Sequence, residues 1–273
     1  MPGNDILPAD GLPATEYPAG ATVEWLLGDY AAGFRQRGGH PVYGEHDVLY
    51  RFNRLGYRGA EFDAEAEVRV IAVGCSYVLG VGLAQQDIFH ERFAQRLRAE
   101  LSKSVVLLNL GRAGASNDYI ARILQLAVAR LDPHVVLTNF THAARREYVS
   151  VQNDLVTYNP VMWPGDAVSR DIYGHLAALT SAYDDRLNLF RNYKSAEALL
   201  AGRCWLYSHI KQEEIEPVAA HIDRRRYVGI LRPLDLARDG LHPGPASHEN
   251  LAGLYWDRFV EIGGPAALSG GAS

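Results

Sequence analysis

The chain has 273 residues, 48% of them hydrophobic and 22% charged, which is ordinary for a globular protein and long enough for one large α/β domain with additions, or for two domains. A formal net charge of -5 leaves no electrostatic footprint for nucleic acid, and the densest basic stretch, Arg224-Arg225-Arg226, is short, follows Asp223 and reads as a solvated helix end or loop. No run approaches the roughly 18 apolar residues of a membrane span. The first 25 residues lack the basic start and apolar core of a signal peptide. Cys75 and Cys204, the only cysteines, lie far apart in apolar runs and are expected as free thiols in a reducing, cytoplasmic setting.

Residues 1–47 are rich in Pro, Gly and Ala and are expected as an N-terminal extension packed on the domain, with a short helix near residues 23–34. The domain proper, residues 48–262, begins its regular alternation at residues 68–74 (VRVIAVG), a short apolar run ending in glycine that suits a buried strand. Phe89, Phe93, Leu97 and Leu101 recur every four residues and predict a helix over 87–102 with one apolar stripe. Residues 105–110 (VVLLNL) predict a second strand, and 118–131 a second helix that Asp132-Pro133 ends. Residues 135–139 (VVLTN) begin a third strand. Residues 150–200 are less regular, opening with Asn, Pro, Trp and Gly and turning helical from about 172; they are expected as an insertion or lid-like segment. Residues 204–208 (CWLYS) predict a fourth strand, 227–231 a fifth and 245–262 the closing helix, ahead of a flexible tail at 263–273. This alternation predicts a mostly parallel sheet with helices on both faces.

In an open parallel sheet, ligands gather beyond the carboxyl ends of the strands, and three polar or glycine-rich clusters fall there. The first is Gly74-Cys75-Ser76-Tyr77, after the first strand and ahead of a helix. A serine at such a turn is lifted above the sheet edge beside free helix amides, although by itself it is more often a helix N-cap than a nucleophile. The second is Gly111-Arg112-Ala113-Gly114-Ala115-Ser116-Asn117, where glycine lets backbone amides approach a ligand. The third is Asp239-Gly240-Leu241-His242-Pro243, just before the closing helix. There His242 can take the Ser76 proton while Asp239 holds the imidazole tautomer. Asn117 and Asp118 also suit a helix cap. His248 reads as packed or solvated. His90, His175, His209 and His221 share no spacing suited to metal ligation, and Gly80-Val81-Gly82 lacks the rest of a dinucleotide fingerprint. No metal and no cofactor are expected.

Taken together and in this order, the clusters resemble those of the SGNH hydrolase family, the GDSL-like esterases and lipases. Gly74-Cys75-Ser76 matches its Gly-Asp-Ser block, Gly114 its backbone-amide glycine, and Asp239 to Pro243 its complete Asp-x-x-His-Pro block; Asn53-Arg54-Leu55-Gly56-Tyr57-Arg58-Gly59 is similar to a lead-in of many members. The resemblance covers about residues 48 to 260. It implies a three-layer, doubly wound, flavodoxin-like α/β fold with five mostly parallel strands. It also implies a Ser76–His242–Asp239 triad acting on a small-molecule acyl ester. Two positions depart from the family: Cys75 replaces the usual Asp, and the Gly-x-Asn-Asp block is missing after the third strand. Cys75 as nucleophile is a minor alternative. Asn139 is either an oxyanion donor alongside Gly114 or a strand residue, with Thr141, His142 and Arg145 as the other candidates.

The reaction implied is acyl transfer through Ser76, with the ester drawn from acyl lipids, acetylated sugars or specialised metabolites. Tyr77, Asn117, Tyr158 and Trp163 are the candidate substrate contacts, with Tyr173 beside them in the 150–200 segment; aromatic rings there also suit a core role. An acyltransferase sharing the acyl-enzyme, or a non-catalytic binding protein on the same fold, would carry the same clusters.

Overall fold

The computed structural model describes residues 11–149, 155–160, 162 and 164–269. Ahead of the first apolar run the chain makes only small elements. β1 (Thr22–Val23) pairs antiparallel with β2 (Tyr50–Arg51), and α1 (Ala31–Gln36) lies between them in sequence. The short helix expected near residues 23–34 therefore starts later, because residues 22–23 are taken by strand pairing. Aromatic and aliphatic residues fasten this segment: Tyr17, Tyr43, Val48, Tyr50 and Phe52 join one face of the core, and Leu12 and Tyr57 the other.

β3 (Val68–Gly74), β4 (Val105–Gly111), β5 (Val135–Phe140), β8 (Cys204–His209) and β9 (Tyr227–Ile230) form one parallel sheet in the order β4-β3-β5-β8-β9. Numbering only these five strands, the order is 2-1-3-4-5, the flavodoxin-like, doubly wound arrangement expected. The strands are apolar on both faces because both are covered. Along β3, Val68, Val70 and Ala72 face one helical layer, and Ile71 and Val73 the other.

The first layer is α3 (Phe89–Leu101) against α8 (Pro245–Glu261), joined through Phe89, Phe93, Tyr255 and Phe259. α3 begins two residues later than the apolar spacing predicts, since Gln85–Asp87 makes a separate 3-10 turn. The second layer is α4 (Asn117–Leu131) against α6 (Ala182–Leu199). Ser116 caps α4 by accepting from the Tyr119 amide at 3.1 Å.

Two expectations are corrected. The 150–200 segment is not one lid. α6 is the crossover helix from β5 to β8, burying Leu189, Tyr193 and Ala196 at helical spacing against the second layer. The added structure is the hairpin β6 (Arg146–Val149) with β7 (Leu155–Tyr158), followed by α5 (Ala167–Leu179). Nor is the whole tail loose, because Gly264–Ser269 forms α9, with Leu268 against the α3–α8 core and its carbonyl accepting from Lys103 Nζ at 2.7 Å.

No helix among the described residues is long and apolar enough to cross a membrane.

Candidate active site

The register levels the ends of three strands at one rim: Gly74 stands opposite Gly111 on β4 and Asn139 on β5. The strand order reverses at β3, so this rim is the crevice where such sheets bind ligands. Ser76 opens the one-turn helix α2 (Ser76–Leu79) directly above it. Glycine is required where the neighbouring loop crosses: a Cβ on Gly111 would lie 2.3 Å from the Leu79 nitrogen. Among the described residues, neither the Ser76 amide nor the Gly114 amide has an acceptor within the fold. Gly114 itself has φ +70, a left-handed conformation natural to glycine.

The loop from Leu236 to Pro243 reaches the same rim. It closes on itself through the Ala237 amide to the His242 carbonyl at 2.8 Å. It is also stitched to the chain after α2 by the Arg238 amide donating to the Gly82 carbonyl at 2.9 Å. The approach is so close that a Cβ on Gly82 would lie 2.9 Å from the Ala237 Cβ and 3.0 Å from the Asp239 nitrogen.

Asp239 is buried, and its Oδ1 accepts from the Leu241 and His242 amides, each at 3.0 Å. Its Oδ2 accepts from His242 Nδ1. Burial alone would push the Asp239 carboxyl up. The ring hydrogen bond, the His242 charge and the two amides outweigh it and hold the carboxyl below the usual range. A carboxylate only accepts, so Nδ1 carries the proton and neutral His242 keeps its lone pair on Nε2. The His242 side chain is 23% exposed. It meets the edge of Tyr77, the residue after Ser76, with ring centroids 5.8 Å apart. Burial pushes the Tyr77 phenol up to about 12; Cys75 adds to the rise, the Arg145 cation opposes it and the Asp239 carboxylate reinforces it.

An anchor that sequence reasoning missed holds this loop. Arg238, between Ala237 and Asp239, is wholly buried and pairs with wholly buried Asp29 of the N-terminal segment, Nη2 to Oδ2 at 2.6 Å. It also donates to the carbonyls of Glu45 and Glu24 and stacks over Trp25 at 3.9 Å. Asp29 accepts in turn from the Tyr50 hydroxyl at 2.5 Å, and that hydroxyl accepts from the Gly82 amide at 2.7 Å. The two ends of the pair lie 209 positions apart, so no local pattern marks them.

Other expected site residues lie elsewhere. Asn139 is 0% exposed, and its Nδ2 donates to Ser208 Oγ at 2.7 Å, which links onward to the Tyr255 hydroxyl. Its side-chain amide is thus engaged in the packing between the sheet and α8. Asn117 is likewise buried. Its side chain clasps the Thr141 backbone, accepting from its amide at 2.9 Å and donating to its carbonyl at 3.1 Å, so it is a structural brace and not a substrate contact. Tyr158 packs edge-on against Tyr173 of α5 at 5.0 Å, and Tyr173 donates to the Thr157 carbonyl, so the two buried rings join the hairpin to α5. Trp163 lies outside the described residues.

Cys75 is buried in the second apolar layer, which removes it as the alternative nucleophile. Of the alternative oxyanion donors, His142 Nδ1 is paired with Glu214 at 2.9 Å and buried Thr141 accepts from Arg145. Arg145 lies within electrostatic reach of Tyr77. His248 is packed: its Nδ1 accepts from the Phe89 amide at 3.2 Å, and burial depresses it to about 3.

No known family model matches the chain, and no curated protein does. Among solved structures it is similar to TesA, with 15% identity over 71% of this chain and 99% of that one and a TM-score of 0.48. It is similar to the psychrotrophic esterase EstA from Pseudoalteromonas sp., with 12% identity over 72% and 98% of the two chains and a TM-score of 0.46. A family 3 carbohydrate esterase from Clostridium thermocellum shares 16% identity over 74% and 99% of the two chains, with a TM-score of 0.45.

Proposed function

We propose that the chain is a serine hydrolase that cleaves an acyl ester of a small molecule through an acyl-enzyme on Ser76. The observation that carries this reading is the Asp239–His242 pair, its imidazole against Tyr77 beside Ser76, at the sheet's switch point.

In the first step the Ser76 hydroxyl adds to the ester carbonyl carbon while His242 Nε2 takes its proton, and Asp239 balances the imidazolium. The free Ser76 and Gly114 amides are suited to hold the oxyanion, each such donor being worth about 3 kcal/mol in the transition state. Collapse breaks the ester C–O bond, and the imidazolium returns its proton to the leaving alcohol. Water, deprotonated by the same nitrogen, then releases the acid and restores Ser76. The buried carboxylate keeps Nε2 as the basic atom in both halves.

Turnover of p-nitrophenyl acetate tests this. Ser76→Ala and His242→Ala are each expected to lower kcat/KM by roughly 10³-fold or more, with circular dichroism unchanged. Either variant retaining most of the wild-type rate contradicts the assignment.

A further inference from the structure

Four arginines are buried among the described residues: Arg58, Arg145, Arg146 and Arg238. Three are well compensated. Arg238 pairs with Asp29, and Arg146 pairs with Asp184 and Asp185. Arg58 donates to the carbonyls of Leu49, Leu79, Gly80 and Leu83 and lies 4.4 Å from the centre of the Tyr50 ring.

Arg145 differs. Its exposure is 9%, yet among the described residues its guanidinium donates only through Nη1, to Thr141 Oγ1 at 2.8 Å and weakly to the Ala115 carbonyl at 3.5 Å. Its Nε, like that of Arg58, is buried and has no partner among the described residues. No ion pair within 4.0 Å involves Arg145 among the described residues. A guanidinium stays charged at any working pH, and a buried charge left unpaired is costly. A cation kept in that state at the mouth of a site is explained when the ligand brings the counter-charge.

Its position fits. The two groups it touches, Ala115 and Thr141, directly follow Gly114 and the end of β5. Tyr77 stands within electrostatic reach of both Arg145 and Asp239.

We propose that Arg145 is a specificity-determining cation of the cleft, and that the ester taken there carries an anionic group, a carboxylate or a phosphate, beside the scissile bond. This rests on the ester-hydrolase reading above. A guanidinium is suited to charge-assisted hydrogen bonds with either oxyanion.

The test compares matched ester pairs. For a carboxylate, p-nitrophenyl hemisuccinate is set against p-nitrophenyl acetate; for a phosphate, 4-acetoxyphenyl phosphate against phenyl acetate. The wild type is expected to favour at least one anionic partner in kcat/KM by about 10–100-fold, the range of a charge-assisted contact. The arm that responds names the anion. Arg145→Gln is expected to bring that ratio to near one. Should that variant not fold, Arg145→Lys, which keeps the charge and loses the fork, is expected to lower the ratio at least threefold. A wild-type ratio of one or less in both arms, with Ser76 still reacting with a fluorophosphonate, overturns the inference and leaves the hydrolase reading standing. So does an equal loss on neutral and anionic esters in the variants. Failure of Ser76 to react with the fluorophosphonate removes both.

Discussion

Replacing Asp29 with Asn tests whether the N-terminal segment holds the catalytic loop in place. Asp29 and Arg238 are each 0% exposed, and the carboxylate receives three contacts from the guanidinium: Nε to Oδ1 and to Oδ2 at 3.1 Å, and Nη2 to Oδ2 at 2.6 Å. Asn keeps the shape and one acceptor but removes the charge, leaving a buried guanidinium uncompensated. Breaking one side of such a pair costs about 3–5 kcal/mol, a large share of a typical stability of about 5–15 kcal/mol. With an unfolding entropy of about 2.1 cal/mol/K per residue, the drop in Tm for a chain of this length is roughly 5–9 °C. Urea unfolding and calorimetry read the loss. Because Arg238 adjoins Asp239, kcat on p-nitrophenyl acetate should fall as well. The exposed Arg35–Glu45 pair is the control: the Arg35 side chain is 68% exposed, and Arg35→Ala should leave stability close to that of the wild type. If Asp29→Asn costs no more than Arg35→Ala and leaves kcat untouched, the anchoring argument is refuted.

Further outcomes follow from buried polar groups. Burial holds His90, His209 and His248 neutral, pushed down to about 4, about 4 and about 3. Their folded values lie below the ordinary value of about 6.5, so the unfolded chain binds more protons between these limits. Stability is therefore fully present above pH about 6.5 and falls as pH drops toward about 4, by up to about 1.4 kcal/mol per pH unit for each histidine. His248→Asn, which keeps an acceptor for the Phe89 amide, should flatten that slope in urea titrations by about one proton; an unchanged slope would refute the burial argument. Asn117→Ala strands the Thr141 amide and carbonyl and should cost about 2–4 kcal/mol, with KM for p-nitrophenyl acetate nearly unchanged. A large KM rise without loss of stability would return Asn117 to the substrate site.

The sheet was legible in the sequence because a parallel strand covered on both faces must be mostly apolar, and the five runs at β3, β4, β5, β8 and β9 are, with isolated polar residues such as Arg69 and Asn109. The Asp239–His242 contact was legible because both partners lie in one short loop, where spacing alone limits geometry. Asn117, Asn139 and Tyr158 were not, because a polar or aromatic residue near a strand end reads the same whether it faces the cleft or the core. Their direction is set by partners elsewhere in the chain: Thr141, Ser208 and Tyr173. α6 resembles part of an insertion in the sequence because its start is charged and only Leu189, Tyr193 and Ala196 mark its buried side. The Asp29–Arg238 anchor carried no signal, since each residue alone is an ordinary charge whose burial depends on tertiary packing.

The central claim is that the oxygen of Ser76 is an activated nucleophile, and peptide mapping of the protein after exposure to a fluorophosphonate measures this most directly. One phosphonyl adduct is expected, on Ser76, absent in Ser76→Ala and formed far more slowly in His242→Ala. No adduct, or one on a residue other than Ser76, would contradict the account.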